Sequence, residues 1–254
     1  LGLEPEAVVE YIVEYKIDGL GISLTYTDGV LERGATRGDG QTGEDVTQNL
    51  KTIRAIPLRL AEVEGRPSAC EIRGEAFITK DEFVRISQGR EERGESPFAN
   101  PRNAAAGSIR QLDSSITAQR RLQAIFYDLR TDEPPPFETQ AGLLELLSEM
   151  RLRPSAPYRV VAGMAEVDAL LEHLDRERHS LPYDVDGLVF KVNSIEQQRR
   201  LGTISRSPRW AIAFKFQAER GETTVNDIIA SVGRTGAVTP VAIMEPVLLD
   251  GTTV

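Results

Sequence analysis

The tightest constraint on this chain is the dipeptide Asp28-Gly29, set between two runs of alternating apolar residues. Ile17, Leu20, Ile22, Leu24 and Tyr26 precede it, and Val30, Leu31 and Ala35 follow. Asp-Gly readily takes the positive backbone angles of a two-residue hairpin turn, and the alternation gives each strand one face for a core. Residues 15–27 and 30–36 are therefore predicted to be paired antiparallel strands. Further β segments are expected at 70–78, 125–127, 186–193, 209–217, 225–232 and 238–247.

Helical patterning falls near 44–51, 80–93, 138–150 and 165–177. Thr79, with Glu82 three residues on, has the spacing of a capping box for the second of these. A short amphipathic helix is expected at the start, with Pro5 in its first turn. It would turn Val8 and Ile12, with Val9 or Val13, inward and Glu6 and Glu10 outward. Segment 98–113 reads as a loop entering a short helix, and Pro134-Pro135-Pro136 as a rigid connector. Hairpins and helices alternate without the regular strand–helix rhythm of a parallel sheet, so the fold class is α+β, mainly antiparallel. Composition turns toward Val, Thr and Gly late in the chain, which divides it into residues 1–218 and a β-rich segment, 219–254.

Composition removes several function classes. A single cysteine, Cys70, permits no internal disulfide and fits a reducing, cytoplasmic location. With only His173 and His179 beside it, a structural zinc site is not expected in these residues. No stretch approaches the ~18 continuous apolar residues of a membrane span, and no charged-then-apolar leader opens the chain, so no membrane partner is expected. Leu1 in place of methionine, and the apolar run Val247-Leu248-Leu249 close to the end, make the chain read as an excerpt from a longer polypeptide.

The net charge of −9 opposes nucleic acid overall, so such a partner would need a local basic surface. Gln197 to Ala218 holds Arg199, Arg200, Arg206, Arg209 and Lys215 without any acid. A solvated surface run is the commoner explanation for such a cluster.

The chemistry begins at Glu14-Tyr15-Lys16-Ile17-Asp18-Gly19. On a strand Glu14, Lys16 and Asp18 share one face, and Tyr15 and Ile17 the other. The row is either a solvated strand face with a paired lysine, or a lysine nucleophile flanked by acids that position substrate or metal. A lysine of ordinary pKa ~10.4 is only about 0.04% neutral at pH 7, a deficit of roughly 4.6 kcal/mol. Flanking carboxylates deepen that deficit, so a nucleophilic lysine here needs other cations or a metal nearby.

Lys191 and Lys215 lie on strands, and Arg37 opens a glycine turn. Each lysine alone reads as an edge-strand gatekeeper; together with Lys16 and Arg37 they are expected to form a phosphate-binding pocket. The turn Gly38-Asp39-Gly40-Gln41-Thr42-Gly43 is formally G-x-G-x-x-G, but it follows half of a hairpin. Glu44 and Asp45 would repel a pyrophosphate at the next helix start, so a dinucleotide crossover is rejected.

The string Glu14-x-Lys16-x-Asp18-Gly19 resembles the K-x-D-G nucleophile motif of covalent nucleotidyltransferases, the DNA ligases, RNA ligases and mRNA capping enzymes. Longer strings narrow this: RGATRGDGQTGEDVT at 33–47, EIRGEAF at 71–77, FANPRNAAAGSIRQLD at 98–113, DVDGLVFKVN at 184–193, SPRWAIAFKF at 207–216 and VGRTGAVTPVA at 232–242. In this order they resemble the bacterial NAD-dependent DNA ligases from about Glu4 to Asp250. The resemblance implies an adenylation domain, 1–218, followed by the opening of an OB-fold, 219–254.

It further implies that Lys16 takes AMP from NAD, with Asp18 beside it. Glu14 and Lys191 would meet the adenine side, Tyr127 and Val189 the two faces of the purine, and Arg37 and Glu75 the rest of the nucleotide. Lys215 would face the transferring phosphate, and Glu75 and Asp186 would organise Mg2+ or Mn2+. Arg102, Arg110 and Arg178 match arginines at the nicotinamide-side phosphate, the nick phosphate or the DNA backbone. The implied partners are NAD and nicked double-stranded DNA, with a monomeric enzyme.

Departures are few. Tyr15 stands where the family usually has proline. The family's N-terminal module, its zinc-binding four-cysteine finger, helix-hairpin-helix repeats and BRCT domain have no counterpart in these residues, so Zn2+ belongs only to a downstream domain. The readings kept beside this one are an ATP-dependent nucleotidyltransferase of ligase or capping type, and a noncatalytic nucleic-acid-binding module built on the 197–218 patch.

Overall fold

The computed structural model describes every residue except 3, 5, 6, 41, 205, 206, 217–220, 250, 251 and 254. The chain divides into two compact units, Leu1–Phe216 and Gln217–Val254.

The first half of the larger unit runs β1 (Glu10–Ile17), β2 (Leu20–Thr27), β3 (Val30–Thr36), α1 (Thr47–Leu50), β4 (Ala69–Phe77), α2 (Lys80–Glu92), α3 (Pro101–Ile109), α4 (Ser114–Gln119) and β5 (Gln123–Arg130). It continues through α5 (Gln140–Glu149), β6 (Tyr158–Ala162), α6 (Met164–Glu177), β7 (Val185–Val192), α7 (Ile195–Leu201), β8 (Thr203–Ile204), β9 (Ser207–Pro208) and β10 (Ala211–Lys215). Two antiparallel four-stranded sheets result, ordered β10-β7-β1-β6 and β3-β2-β4-β5, and β8 and β9 form a small separate ribbon.

The hairpin lies where Asp28-Gly29 places it. Thr27 pairs with Val30, and both turn residues have positive φ, 49° and 74°, as a type I′ turn requires. Residues 15–27 are not one strand, however. β1 pairs with β6 and β7, while β2 belongs to the other sheet beside β3 and β4. The chain crosses between sheets at Asp18-Gly19, where a Cβ on Gly19 would stand 2.4 Å from the Ala76 carbonyl oxygen. No side chain fits there.

The expected N-terminal helix is also overturned. Glu10–Ile17 is a strand, and Ala7 to Val9 form no regular element; Pro5 and Glu6 lie outside the described residues. Its apolar run fits a central strand covered on both faces, with Ile12 and Val13 both buried. Thr79 caps α2 by accepting from the Glu82 N–H, but the Glu82 side chain turns to Arg85 and leaves the box half made. Helices α4 and α7 and strand β6 were not expected from the patterning.

Two apolar clusters hold this unit together. The larger gathers Leu24, Tyr26, Leu50, Ile72, Phe126, Ile109 and Leu144 around the β3-β2-β4-β5 sheet. The other packs Val13, Tyr15, Ile17 and Leu188 with Val167 and Leu174 of α6, and with Phe77 and Tyr183, whose rings meet edge-on at 5.0 Å. The Tyr15 face of β1 is thereby spent on core, leaving the Glu14–Lys16 face for other uses.

In the smaller unit β11 (Val225–Val232) pairs antiparallel with β12 (Val238–Met244), and β13 (Leu248–Leu249) with β14 (Thr252–Thr253). No helix among the described residues is long and apolar enough to cross a membrane.

Candidate active site

Strand register assembles the first side of the site. Lys16 on β1 lies opposite Gly187 on β7, which lies opposite Lys215 on β10. Glu14 lies opposite Val189, and Ile12 opposite Lys191. Opposed residues of antiparallel strands point to the same face, so Glu14, Lys16, Val189, Lys191 and Lys215 share one. Gly187 leaves a gap between the two lysines, and its bare Cα is needed: a Cβ there would lie 2.1 Å from the Phe214 carbonyl oxygen.

The β1–β7 register slips between Lys16 and Ile17, which pair with Gly187 and Val185. Asp186 is therefore the extra residue of a bulge, a device that re-aims a side chain. Its carboxylate oxygens both stand 2.9 Å from Lys16 Nζ, and one stands 3.8 Å from Lys215 Nζ. Deeper in, Lys191 Nζ lies 2.5 Å from Glu14 Oε1, with both side chains buried. Lys191 therefore belongs to an interior strand and is not the edge gatekeeper that it resembles in the sequence. Lys215, 74% exposed on the edge strand β10, fits that pattern better.

The second sheet supplies the other side through a second bulge. Arg73 pairs with Asp128 and Gly74 with Phe126, so Tyr127 is the extra residue on β5. Its carbonyl accepts from Lys191 Nζ at 3.3 Å, and Lys191 Nζ lies 5.4 Å from the ring centroid. Burial, then the nearby Glu75 carboxylate, raise the Tyr127 phenol above its ordinary pKa. Glu75 lies opposite Gly21, whose carbonyl accepts the Arg37 N–H at 2.7 Å. Without a side chain at Gly21, the Arg37 stem lies across it: a Cβ there would stand 3.0 Å from Arg37 Cβ.

Burial pushes the Glu75 carboxyl up to about 7, against the opposing pull of Lys16, Arg102 and Arg37. Arg102, in the first turn of α3, reaches Asp18 Oδ1 at 3.0 Å. Asn100 caps that helix by accepting from the Asn103 N–H, and Pro101 sets its first turn.

Lys16, Glu14, Asp18, Arg37, Glu75, Arg102, Tyr127, Val189, Lys191, Asp186 and Lys215 are thus joined by register or direct contact. Arg110 and Arg178 make their contacts elsewhere. Arg110 pairs with Glu44 at 2.6 Å; Arg178 pairs with Asp175 at 2.8 Å and stacks on Phe216, 4.8 Å from its centroid. In the basic patch, Arg199 and Arg200 sit in the last turn of α7, and Arg206 lies outside the described residues. Gly38, Gly40 and Gly43 close a turn against β3, where Thr36 Oγ1 accepts from the Glu44 N–H, and make no crossover to a parallel strand.

Buried Gln140, Asn193 and Gln198, beside Lys191 and Tyr127, carry no signal in the sequence that marks them as part of the site. For a metal ion, the carboxylates of Asp186 and Glu75 offer the hard oxygens that Mg2+ prefers. No three acidic, His or Cys side chains converge among the described residues, so such an ion would be completed by phosphate and water oxygens.

Residues 3–219 match the NAD-dependent DNA ligase adenylation domain family, and residues 222–254 the NAD-dependent DNA ligase OB-fold domain family. The chain is 54% identical over 248 residues to a protein named DNA ligase from Desulfitobacterium hafniense, covering 98% of this chain and 37% of that protein. Proteins of the same name are 53% identical in Bacillus licheniformis, over 97% of this chain and 36% of the relative, and 50% identical in Thermodesulfovibrio yellowstonii, over 97% and 37%. The chain therefore spans little more than a third of the length of the curated relatives it matches. With the matched family covering both sheets and the Lys16 site between them, the chain belongs to the NAD-dependent DNA ligase adenylation domain family.

Proposed function

We propose that Lys16 is the nucleophile of an NAD-dependent DNA ligase. The observation that carries this reading is the placement of Lys16 on one sheet face with Glu14, Lys191 and Lys215, its Nζ held 2.9 Å from Asp186.

Nζ attacks the adenylyl phosphorus of NAD: the N–P bond forms, the P–O bond to nicotinamide mononucleotide breaks, and the amine loses its proton. The resulting lysyl-AMP passes its AMP to the 5′-phosphate of a nick, and the 3′-hydroxyl displaces AMP to seal the strand. Phosphoryl transfer of this kind rests on positioning and charge neutralisation. Lys215, Arg37 and Arg102 supply that charge, Glu14 and Lys191 read the adenine edge, and Tyr127 and Val189 flank its ring. Asp186 and Glu75 would hold Mg2+, which neutralises phosphate charge when bound. Arg110 and Arg178, engaged elsewhere, are assigned to the nicotinamide-side phosphate, the nick phosphate or the DNA backbone.

The adenylation domain would comprise 1–218, with the OB-fold portion following. These residues alone are expected to hold AMP but to self-adenylate poorly from NAD. The donor is therefore tested by supplying adenine-labelled NAD and, in parallel, adenine-labelled ATP to the full-length protein with the family's N-terminal module. Label taken from NAD alone is expected; label from ATP alone overturns the reading. Salt-sensitive DNA binding without labelling by either donor would favour the noncatalytic alternative.

A further inference from the structure

Tyr127 and Lys191 come from different sheets, and one side chain that belongs to neither strand reaches the carbonyl that joins them. Gln140, buried at the start of α5, donates its side-chain N–H to the Tyr127 carbonyl at 3.1 Å, beside the 3.3 Å bond from Lys191 Nζ. As the extra residue of a bulge, Tyr127 is left unpaired in its ladder, so these donors fix its backbone.

Gln140 is itself locked in orientation. Gln198 spends its two N–H groups on the Val192 carbonyl, at 2.7 Å, and on Gln140 Oε1, at 3.2 Å. A flipped Gln140 amide would set an oxygen against the Tyr127 carbonyl and an NH2 against the Gln198 donor. The start of α5 is also tied to the residue just past β7: the Gln140 N–H reaches the Asn193 carbonyl at 2.7 Å, and the Ala141 N–H reaches Asn193 Oδ1 at 3.1 Å. One buried network thus links β7, which carries Lys191, to the β5 bulge, which carries Tyr127.

Resting on the reading of this site as adenylate-binding, we propose that Gln140, oriented by Gln198, is a positioning residue that fixes the Tyr127 ring and the Lys191 ammonium in the geometry that grips adenine. Such grip is shared by ground and transition states, so its loss acts on KM and spares kcat.

The test is single-turnover AMP transfer from NAD to the intact protein, comparing Gln140→Met, which removes the donor, with Gln140→Glu, which keeps the shape. In whichever variant folds, KM for NAD is expected to rise about three- to tenfold, the worth of one buried hydrogen bond, with the maximal rate within about twofold. Gln198→Met is expected to shift KM in the same direction by less. An unchanged KM, or a loss confined to the maximal rate, overturns the proposal. The transfer is run in the full-length protein with the family's N-terminal module, and if that unsubstituted protein takes no label, it is the adenylate-binding reading that fails.

Discussion

Lys16 and Asp186 face each other squarely, Nζ standing 2.9 Å from each carboxylate oxygen of a bulged residue on the neighbouring strand. The pair is only partly exposed, 32% and 27%, so solvent does not freely compete for it. It aims the amine at one point on the sheet face. Asp186→Asn keeps the shape and removes the charge that holds Nζ there. AMP transfer from NAD is expected to slow by about a hundredfold, the scale of an ångström's misplacement. Rapid-quench labelling measures this, and a rate within about threefold of the unsubstituted protein would count against the assignment.

The ion pair between Glu14 and Lys191 is of a different kind, because both side chains are buried. Removing one partner leaves a charge without its counter-ion in the interior. Glu14→Ala is expected to destabilise the fold by about 3–5 kcal/mol in urea denaturation. The double change Glu14→Leu with Lys191→Met removes both charges and is expected to recover most of that loss while binding AMP poorly. Full AMP binding by the double variant would show that the pair serves folding alone.

Glu75 makes stability depend on pH in an unusual direction. Burial lifts its carboxyl from 4.5 to about 7. Between those values the folded state keeps a proton that the unfolded state has lost, so the group's stabilising contribution falls as pH rises through that window. The loss is bounded at about 3 kcal/mol. Urea titrations at pH 5 and pH 8 should show Glu75→Gln with a smaller pH dependence than the unsubstituted chain. An equal dependence in both would contradict the role of burial.

The hairpin was legible because Asp28-Gly29 acts locally: its two backbone angles and the flanking alternation need no knowledge of the rest of the chain. The N-terminal strand was not. Ile12 and Val13 are both buried, on opposite faces, and such a run lacks the alternation that separates a strand from a helix. Within the site, Glu14 and Lys16 stand out through their motif, and Lys191 and Lys215 through the strings DVDGLVFKVN and SPRWAIAFKF. Strand pattern alone reads each of these two lysines as an edge gatekeeper, and β7 is an interior strand. The bulges that turn Asp186 and Tyr127 inward depend on register between distant strands, which residue pattern does not reveal. Gln140 was invisible for a related reason: a glutamine opening a helix usually faces water, and here tertiary packing buries it.

Gly187 is a point where the fold serves the site directly. A methyl group there would press on the Phe214 carbonyl oxygen at 2.1 Å and on Lys215 Cα at 2.9 Å. Gly187→Ala is expected to force β10 from β7, costing about 1–3 kcal/mol in urea denaturation and displacing Lys215. The slower AMP transfer should persist at temperatures where the variant is fully folded. Unchanged stability and transfer would mean that the strands can part without consequence.

The most direct test of the nucleophile is peptide mapping by mass spectrometry after incubation of the full-length protein with NAD and Mg2+. The expected result is one AMP moiety on the peptide bearing Lys16, absent from Lys16→Arg. An adduct on any other residue, or one that persists in Lys16→Arg, would contradict the assignment of this amine.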